Sequence, residues 1–158
     1  MPDPTGPRGR GRLVEAMTDV VPVPRSHVDL LTEPIVGVLT TLMPDGQPHS
    51  CLVWVDYDGE CARVNTTLER QSGRNLRSDR RLGILVVDPS DTARYVHIRG
   101  DAALVHRGAI EHLDALTRAY TVHPTFYGHV YPLEQRDRDS RVTVRLHARQ
   151  ITMDAIHS

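Results

Sequence analysis

Hydroxyl and guanidinium side chains are concentrated in residues 64–76, which read Val-Asn-Thr-Thr-Leu-Glu-Arg-Gln-Ser-Gly-Arg-Asn-Leu. A strand-like run ends in three small polar residues, 65–67, and a helical segment carrying Arg70 and Arg74 follows. Arginine presents a planar fork of donors that matches phosphate oxygens, and the first N–H groups of a helix lack intrahelical acceptors. The stretch therefore predicts a site for a phosphate-bearing ligand.

The same residues also have structural interpretations. Thr66 and Thr67 are β-branched and suit an ordinary strand. Because Arg70 follows them so closely, the phosphate interpretation is favoured for both threonines. Arg74 is left open between a phosphate contact and an exposed position on the helix surface.

The composition favours one domain without a nucleic-acid or membrane partner. The chain has 158 residues and a net charge of −1, and it contains no lysine, so no global basic field is expected. No apolar run approaches the roughly 20 residues needed to span a membrane, and the N-terminus lacks the apolar core of a secretory signal. Two cysteines without a disulfide framework indicate reduced thiols and a cytoplasmic location.

Two regions are predicted along the chain. Residues 1–24 are rich in Pro, Gly and Arg and are expected to form a flexible N-terminal tail. Residues 25–158 carry the periodic apolar patterns and form the folded domain.

Alternating apolar residues in this domain predict six strands: Ile35–Met43, Pro48–Asp56, Glu60–Thr67, Leu82–Val87, Arg94–His106 and Arg141–Met153. Helices are expected at 26–31, 69–79 and 109–120. Two Asp-Gly pairs predict two-residue hairpin loops that join the first three strands into a meander, with Leu42 opposite His49. Gly100 is a candidate bulge. Six strands with short turns predict a mainly β fold, a closed or nearly closed antiparallel barrel.

Three stretches together resemble a known family. They are Ile35-Val-Gly-Val-Leu-Thr-Thr-Leu with Asp45-Gly-Gln-Pro-His-Ser, Val64-Asn-Thr-Thr with Arg70 and Gly73-Arg-Asn-Leu-Arg, and Tyr95-Val-His-Ile-Arg-Gly. In order and spacing they are similar to the pyridoxamine 5′-phosphate oxidase-like split-barrel superfamily, with the actinobacterial deazaflavin-dependent reductases as the most similar branch. The resemblance covers roughly residues 27–153.

The resemblance implies a homodimer of six-stranded split β-barrels with two cofactor sites in the dimer interface. Members hold FMN or the deazaflavin coenzyme F420, and some hold heme or nothing. By motif position, the phosphate lies near Asn65, Thr66, Thr67 and Arg70, and the ring system lies beside His49, Ser50, Leu52 and Val53. The partner subunit would supply the opposite wall from its 121–139 loop and last strand.

One position departs from the pattern. The deazaflavin branch usually carries a Lys two residues before Arg-Asn-Leu, and this chain has Ser72 there. Serine donates a neutral hydrogen bond where lysine would place a full charge, and charge-assisted contacts are about twice as strong. Either Arg70 or Arg74 substitutes for the lysine, or the chain binds its cofactor weakly or holds a different one.

The implied activity is hydride transfer from F420 to an unsaturated bond of a small organic substrate. The alternatives are an FMN-dependent oxidase or reductase of the same fold and a non-catalytic cofactor- or heme-binding barrel. No catalytic residue is assigned; candidates for a proton donor are His49, Tyr127, His129 and Tyr131. The histidines lack the short spacings of a zinc site, so no metal is expected.

Overall fold

A computed structural model describes residues 20–154. Seven antiparallel strands form one sheet in the order β2-β1-β5-β6-β7-β4-β3. The strands are β1 (Gly37–Leu42), β2 (Pro48–Val53), β3 (Asp56–Tyr57), β4 (Ala62–Thr67), β5 (Arg81–Val87), β6 (Tyr95–Val105) and β7 (Arg141–Met153). The helices are α1 (Asp29–Thr32), α2 (Gln71–Ser78) and α3 (Ala109–Tyr120), with a short 3-10 turn at Leu133–Gln135.

The mainly β, antiparallel fold is confirmed, and the six predicted strands all form. The seventh strand, β3, arises because the predicted second strand is interrupted at Trp54 and Val55. The backbone N–H of Val55 donates to the hydroxyl of Tyr120 at 3.0 Å instead of to a neighbouring strand. Pairing resumes at Asp56 and Tyr57, which pair with β4. The strand count is therefore seven.

The predicted meander forms only in part: the second Asp-Gly turn joins β3 to β4, with Asp56 opposite Arg63, but the rest of the predicted second strand, β2, lies at the other edge of the sheet. β4 does not pair with β2; it pairs with β7, with Thr66 opposite Val142 and Thr67 opposite Arg141. β7 is long enough to serve two neighbours, since its first half pairs with β4 and most of its length pairs with β6. The arrangement joins Val64 and Val144, which are both fully buried, in one core.

The first hairpin differs from the prediction by one residue. Its loop has three residues, 44–46, because Met43 N–H donates to Gln47 O at 2.8 Å and Gly46 takes a positive φ of 87°. Asp45 keeps a negative φ and accepts from Gln47 N–H, as in a type I turn followed by a bulge. His49 consequently lies opposite Thr41 rather than Leu42.

The bulge predicted at Gly100 is confirmed. The register between β6 and β7 shifts between Arg99 and Gly100. A Cβ at position 100 would lie 1.9 Å from the carbonyl oxygen of His147, so only glycine allows the two backbones to approach this closely.

The core lies inside the curved sheet. It contains side chains from five strands and two helices, among them Leu31, Leu39, Val64, Leu76, Ile84, Ile98 and Val144. Leu76 is the apolar anchor of α2, as its sequence pattern predicts, and its complete burial contributes about 1.5–3 kcal/mol. This anchor holds α2 against the core.

The end of the predicted tail contacts the sheet. Val21 N–H donates to Ala148 O at 2.9 Å, and Val23 is buried in the core. The rest of the predicted tail, residues 1–19, lies outside the described residues. Within residues 20–154 no helix has the length and apolar character to cross a membrane.

Candidate functional site

A cavity of about 580 Å³ opens where β4 meets α2. Side chains from β2, β4, the start of α2, the inner side of α3 and the loop that follows α3 line it. Seven of the ten residues predicted to bind the cofactor lie in this lining: His49, Leu52, Val53, Asn65, Thr66, Arg70 and Ser72. The fold therefore brings the two predicted groups, on β2 and at the β4–α2 junction, to one cavity.

Hydroxyl groups and an arginine form one end of the cavity. Thr66 and Ser72 are buried, and their hydroxyl oxygens are 2.9 Å apart. In such a pair one hydroxyl donates to the other, so the accepting hydroxyl keeps its own proton for a ligand. The exposed side chain of Arg70 lies beside them in the lining.

Close contact between β4 and α2 holds this end together. The Thr67 hydroxyl accepts from Arg70 N–H at 3.1 Å and so satisfies one backbone donor at the helix start. A Cβ at Gly73 would lie 1.9 Å from the carbonyl oxygen of Thr67. Only glycine at position 73 lets the first turn of α2 approach the strand end this closely.

Three of the predicted residues lie outside the lining. Ser50 is exposed, and its hydroxyl pairs with that of Thr40 at 2.9 Å. Thr67 contacts the helix start, as described. Arg74 is exposed and donates to Gln71 Oε1 at 2.6 Å and to the carbonyl oxygen of Glu69, which matches the helix-surface interpretation of this residue.

The β2 wall of the cavity combines a histidine, a thiol and apolar side chains. His49 Nδ1 is buried and has no hydrogen-bond partner among the described residues. Burial raises the pKa of the Cys51 thiol, and the positive charge of Arg70 offsets only part of this rise. Leu52 lies at the rim with 75% of its surface exposed.

Aromatic and aliphatic side chains form the opposite wall. Trp54 packs edge-on against Phe126 with 6.3 Å between ring centroids, and it stacks on Tyr120 at 5.5 Å. Leu113 and Val130 extend this apolar surface. A flat, largely apolar ring system fits between such a wall and β2.

Sequence reasoning missed Arg141, which also lines the cavity. Its side chain is only 4% exposed; Nε donates to the Tyr127 hydroxyl at 2.8 Å, and Nη1 donates to Asn65 Oδ1 at 3.3 Å. The guanidinium lies 4.9 Å from the centroid of the Phe126 ring. Nη2 is buried without a hydrogen-bond partner in the part of the chain that the structure describes. Arg141 marks a strand start in the sequence, and only the register opposite Thr67 reveals its position.

Tyr127 uses its proton within the protein. The phenol donates to Asp139 Oδ2 at 2.6 Å while it accepts from Arg141. Burial raises the pKa of the Tyr127 phenol, and the hydrogen bond from Arg141 offsets only part of the rise. His129 and Tyr131, the other proton-donor candidates in this loop, are exposed and outside the lining. Of the four candidates, His49 alone lines the cavity.

A buried hydrogen-bond network holds the side chain of Asn65 in place. Asn65 Nδ2 donates to Ala109 O at 2.8 Å, and the ring of His112 lies next to it. His112 Nε2 donates to Asp56 Oδ2 at 3.1 Å, so Nδ1 accepts from the Thr143 hydroxyl at 3.0 Å. Asn65 is thus fixed by α3, and its amide oxygen is aimed at Arg141.

The charged side chains that line the cavity are all positive. The lining contains the guanidinium groups of Arg70 and Arg141, and none of the described residues that form it is acidic. Elsewhere in residues 20–154 no group of three or more His, Cys, Asp and Glu side chains could hold a metal ion. The cavity is suited to an organic anion.

The sequence from residue 23 to residue 153 matches the family model described as pyridoxamine 5′-phosphate oxidase. The chain belongs to this family. No curated protein matches the sequence.

Several solved structures share the fold. An F420 reductase is 28% identical and superposes with a TM-score of 0.68 over 82% of this chain and 98% of its own. A conserved hypothetical protein from Mycobacterium tuberculosis is also 28% identical, with a TM-score of 0.64 over 86% of each chain. A heme-binding protein from Mycobacterium smegmatis is 21% identical, with a TM-score of 0.54 over 85% of this chain and 55% of its own, and shows the fold alone. The likeness to an F420 reductase supports the deazaflavin branch within the superfamily.

Proposed function

We propose that this protein is an F420-dependent oxidoreductase that transfers a hydride to an unsaturated bond of a small organic substrate. The observation that carries the proposal is the cavity at the β4–α2 junction, where two hydroxyl groups and an arginine adjoin a largely apolar compartment. The likeness to an F420 reductase supports F420 as the cofactor.

The phosphate of the cofactor would bind at Thr66, Arg70 and Ser72. The remaining proton of the Thr66–Ser72 pair and the guanidinium of Arg70 are donors directed to the same end of the cavity. The N–H groups in the first turn of α2 add further donors, and the helix dipole favours an anion there. Arg70 supplies the positive charge that the absent lysine would otherwise bring.

The ring of the cofactor would lie between β2 and the aromatic wall. When bound, a reduced deazaflavin supplies the hydride. His49, Cys51 and Val53 line the cavity from β2 and would face the ring, while Trp54 and Leu113 would limit the access of water from the other side. The protein's contribution is to orient the substrate against the ring and keep the compartment dry.

His49 is the proton donor that we propose. It lies in the cavity lining, and its buried Nδ1 has no partner among residues 20–154, so a ligand that reached it would supply the missing hydrogen bond. The proton of Tyr127 is committed to Asp139 and does not reach the substrate.

A second subunit would complete the cavity. Three exposed apolar side chains, Val36, Leu52 and Val130, lie in its lining, with 49%, 75% and 41% of their surfaces exposed. Apolar side chains exposed together around a ligand site are typical of a protein interface. We propose that the partner in a homodimer covers them and forms the outer wall.

One observation favours heme as a second candidate ligand. The free Nδ1 of His49 lies beside an apolar cavity, and a histidine nitrogen is a common axial ligand of heme iron. FMN is the third candidate, because it would use the same phosphate-binding end.

Titration of the purified protein with F420, FMN and heme tests the proposal. Bound deazaflavin absorbs at about 400–420 nm, FMN at about 370 and 450 nm, and heme gives a sharp Soret band. The proposal expects a Kd for F420 in the micromolar range or below, and oxidation of reduced F420 when an unsaturated substrate is added. Saturable binding of FMN or heme without binding of F420 would overturn it.

A further inference from the structure

We infer that Arg141 binds a carboxylate group of the substrate, at a subsite separate from the proposed phosphate site. That the ligand is a substrate rests on the proposed function. That it carries a carboxylate rests on the geometry of Arg141. The inference assigns the substrate to unsaturated organic acids with an apolar body.

The guanidinium of Arg141 is held in place by hydrogen bonds, but one of its nitrogens lacks an acceptor. Two of its three nitrogens are occupied, Nε by Tyr127 and Nη1 by Asn65, while Nη2 is buried and unpartnered among the described residues. A buried donor without an acceptor is costly, and such groups are rare in folded proteins. Because Arg141 lines the cavity, a ligand there can supply the missing acceptor.

The location of Arg141 separates it from the phosphate site. Successive side chains of a strand point to opposite faces. Thr66 points into the barrel toward Ser72, whereas Asn65 and Arg141 point toward α3 and the loop that follows it. Arg141 therefore reaches the cavity from the opposite face of the sheet to the Thr66–Ser72 pair, and we assign it a separate anionic group.

The charge of the cavity favours a carboxylate over a neutral carbonyl group. No acidic side chain of the described chain lines the cavity, and Asp139, the carboxylate beside Arg141, remains 4.0 Å from Nη2. The Asp139 carboxylate takes its hydrogen bond from Tyr127 instead. A ligand carboxylate would form a charge-assisted bond with Nη2, which is about twice as strong as a neutral one.

The surroundings of Arg141 define the rest of the ligand. Phe126 lies under the guanidinium, and Trp54 packs against Phe126, so the body next to the carboxylate meets an aromatic surface. An apolar or aromatic acid satisfies both the arginine and this surface.

Benzoate and its neutral isostere benzamide are suitable probes. Trp54 is the only tryptophan of the chain and lies in the cavity wall, so its fluorescence reports occupancy without any cofactor. We expect wild-type protein to bind benzoate about tenfold or more tightly than benzamide. Arg141→Gln should remove this preference, and Tyr127→Phe should reduce it because the guanidinium loses one of its two supports.

Arg145→Gln is the matched control. Arg145 lies on the same strand and is paired with Asp58 and Glu60, away from the cavity. This variant should retain the wild-type preference for benzoate. If Arg141→Gln does not fold, the two arginines of the cavity are distinguished by other variants: the preference for benzoate should fall in Tyr127→Phe and persist in Arg70→Ala.

The outcomes separate this inference from the proposed function. Equal affinity of wild type for benzoate and benzamide would overturn the subsite, whether or not F420 binds. A preference for benzoate that survives Arg141→Gln would also overturn it. If Arg141→Gln weakens F420 binding but leaves benzoate binding unchanged, Arg141 serves the cofactor and the substrate subsite is rejected. Intact, Arg141-dependent benzoate binding without F420 binding would uphold the carboxylate site and reject the cofactor.

Discussion

Thr66 and Ser72 lie on either side of the β4–α2 turn, and their hydroxyl oxygens are 2.9 Å apart in the protein interior. Ser72 occupies the position at which the deazaflavin branch usually carries a lysine. The pair keeps one hydroxyl proton for a ligand, and Arg70 stands beside it in the cavity lining. A neutral pair next to an arginine thus replaces a lysine at the proposed phosphate site.

Two replacements of Ser72 measure how much the absence of the lysine weakens F420 binding. Ser72→Lys should tighten F420 binding about tenfold, because an ammonium group would add a charge-assisted contact in the cavity. Ser72→Ala should weaken binding by about 0.5–1.5 kcal/mol, the contribution of one neutral hydrogen bond. Fluorescence titration with F420 measures both. Affinities unchanged in the two variants would show that position 72 does not face the phosphate.

Gly73→Ala should destabilise the protein by at least about 1–3 kcal/mol. The added methyl group would lie 1.9 Å from the carbonyl oxygen of Thr67, so the start of α2 must move away from β4. The gain in helix propensity, about 1 kcal/mol, does not offset this. Thermal or urea denaturation measures the loss. Ser78→Ala, at an exposed position of the same helix, is the control and should change stability by less than about 0.5 kcal/mol.

Asp56 should make the stability of the protein dependent on pH in the acid range. Burial alone would raise the pKa of Asp56, but hydrogen bonds from His112 and Arg63 outweigh it and hold the pKa below its ordinary value. A lowered pKa stabilises the fold above the unfolded-state pKa of about 3.9, and this contribution is lost as the pH falls through the folded-state pKa.

Asp56→Asn should therefore cost about 1–3 kcal/mol at pH 7, and the difference from wild type should narrow below about pH 4. Urea denaturation at several pH values measures it. Asp137→Asn, in the exposed loop, should show no such dependence. A constant difference between wild type and Asp56→Asn down to pH 2.5 would contradict the role assigned to the ionised carboxylate.

Much of the architecture can be predicted from local patterns in the sequence. Strand positions follow from alternation, α3 from its apolar stripe, and the bulge at Gly100 from a glycine within a long strand. The partner of β4 cannot be predicted in this way, because strand pairing depends on contacts between distant residues. Local alternation would fit a pairing of β4 with β2 as well as the observed pairing with β7.

The candidate site, like the fold, can be predicted only in part from local sequence. Thr66, Arg70 and Ser72 form a local group, so a motif within eight residues is sufficient to propose them. Arg141 enters the cavity only because β7 pairs with β4, 76 positions from Asn65 in sequence. The amide of Asn65 is held by α3 and Arg141, contacts that a motif at the strand end does not reveal.

Leu52→Glu should dissociate the proposed homodimer. Leu52 lies on the edge strand β2 with 75% of its surface exposed, and a carboxylate there would be buried against the partner. Sedimentation velocity should show a dimer for wild type and a monomer for the variant. Thr92→Glu adds a glutamate at an exposed position between β5 and β6, outside the cavity lining, and should remain dimeric. A monomeric wild type would reject the proposed interface.

The most direct test of the account compares Arg70→Ala with Arg74→Ala in titrations with F420 and with a phosphate-free deazaflavin nucleoside. Arg70 lies in the cavity lining, whereas Arg74, four residues later, binds Gln71 and the backbone of Glu69 outside it. Arg70→Ala should weaken F420 binding by about 1.5–3 kcal/mol and affect the nucleoside much less, and Arg74→Ala should change either affinity by less than about 0.5 kcal/mol. Equal losses for the two ligands in Arg70→Ala, or equal losses in the two variants, would contradict the phosphate site on which the account depends.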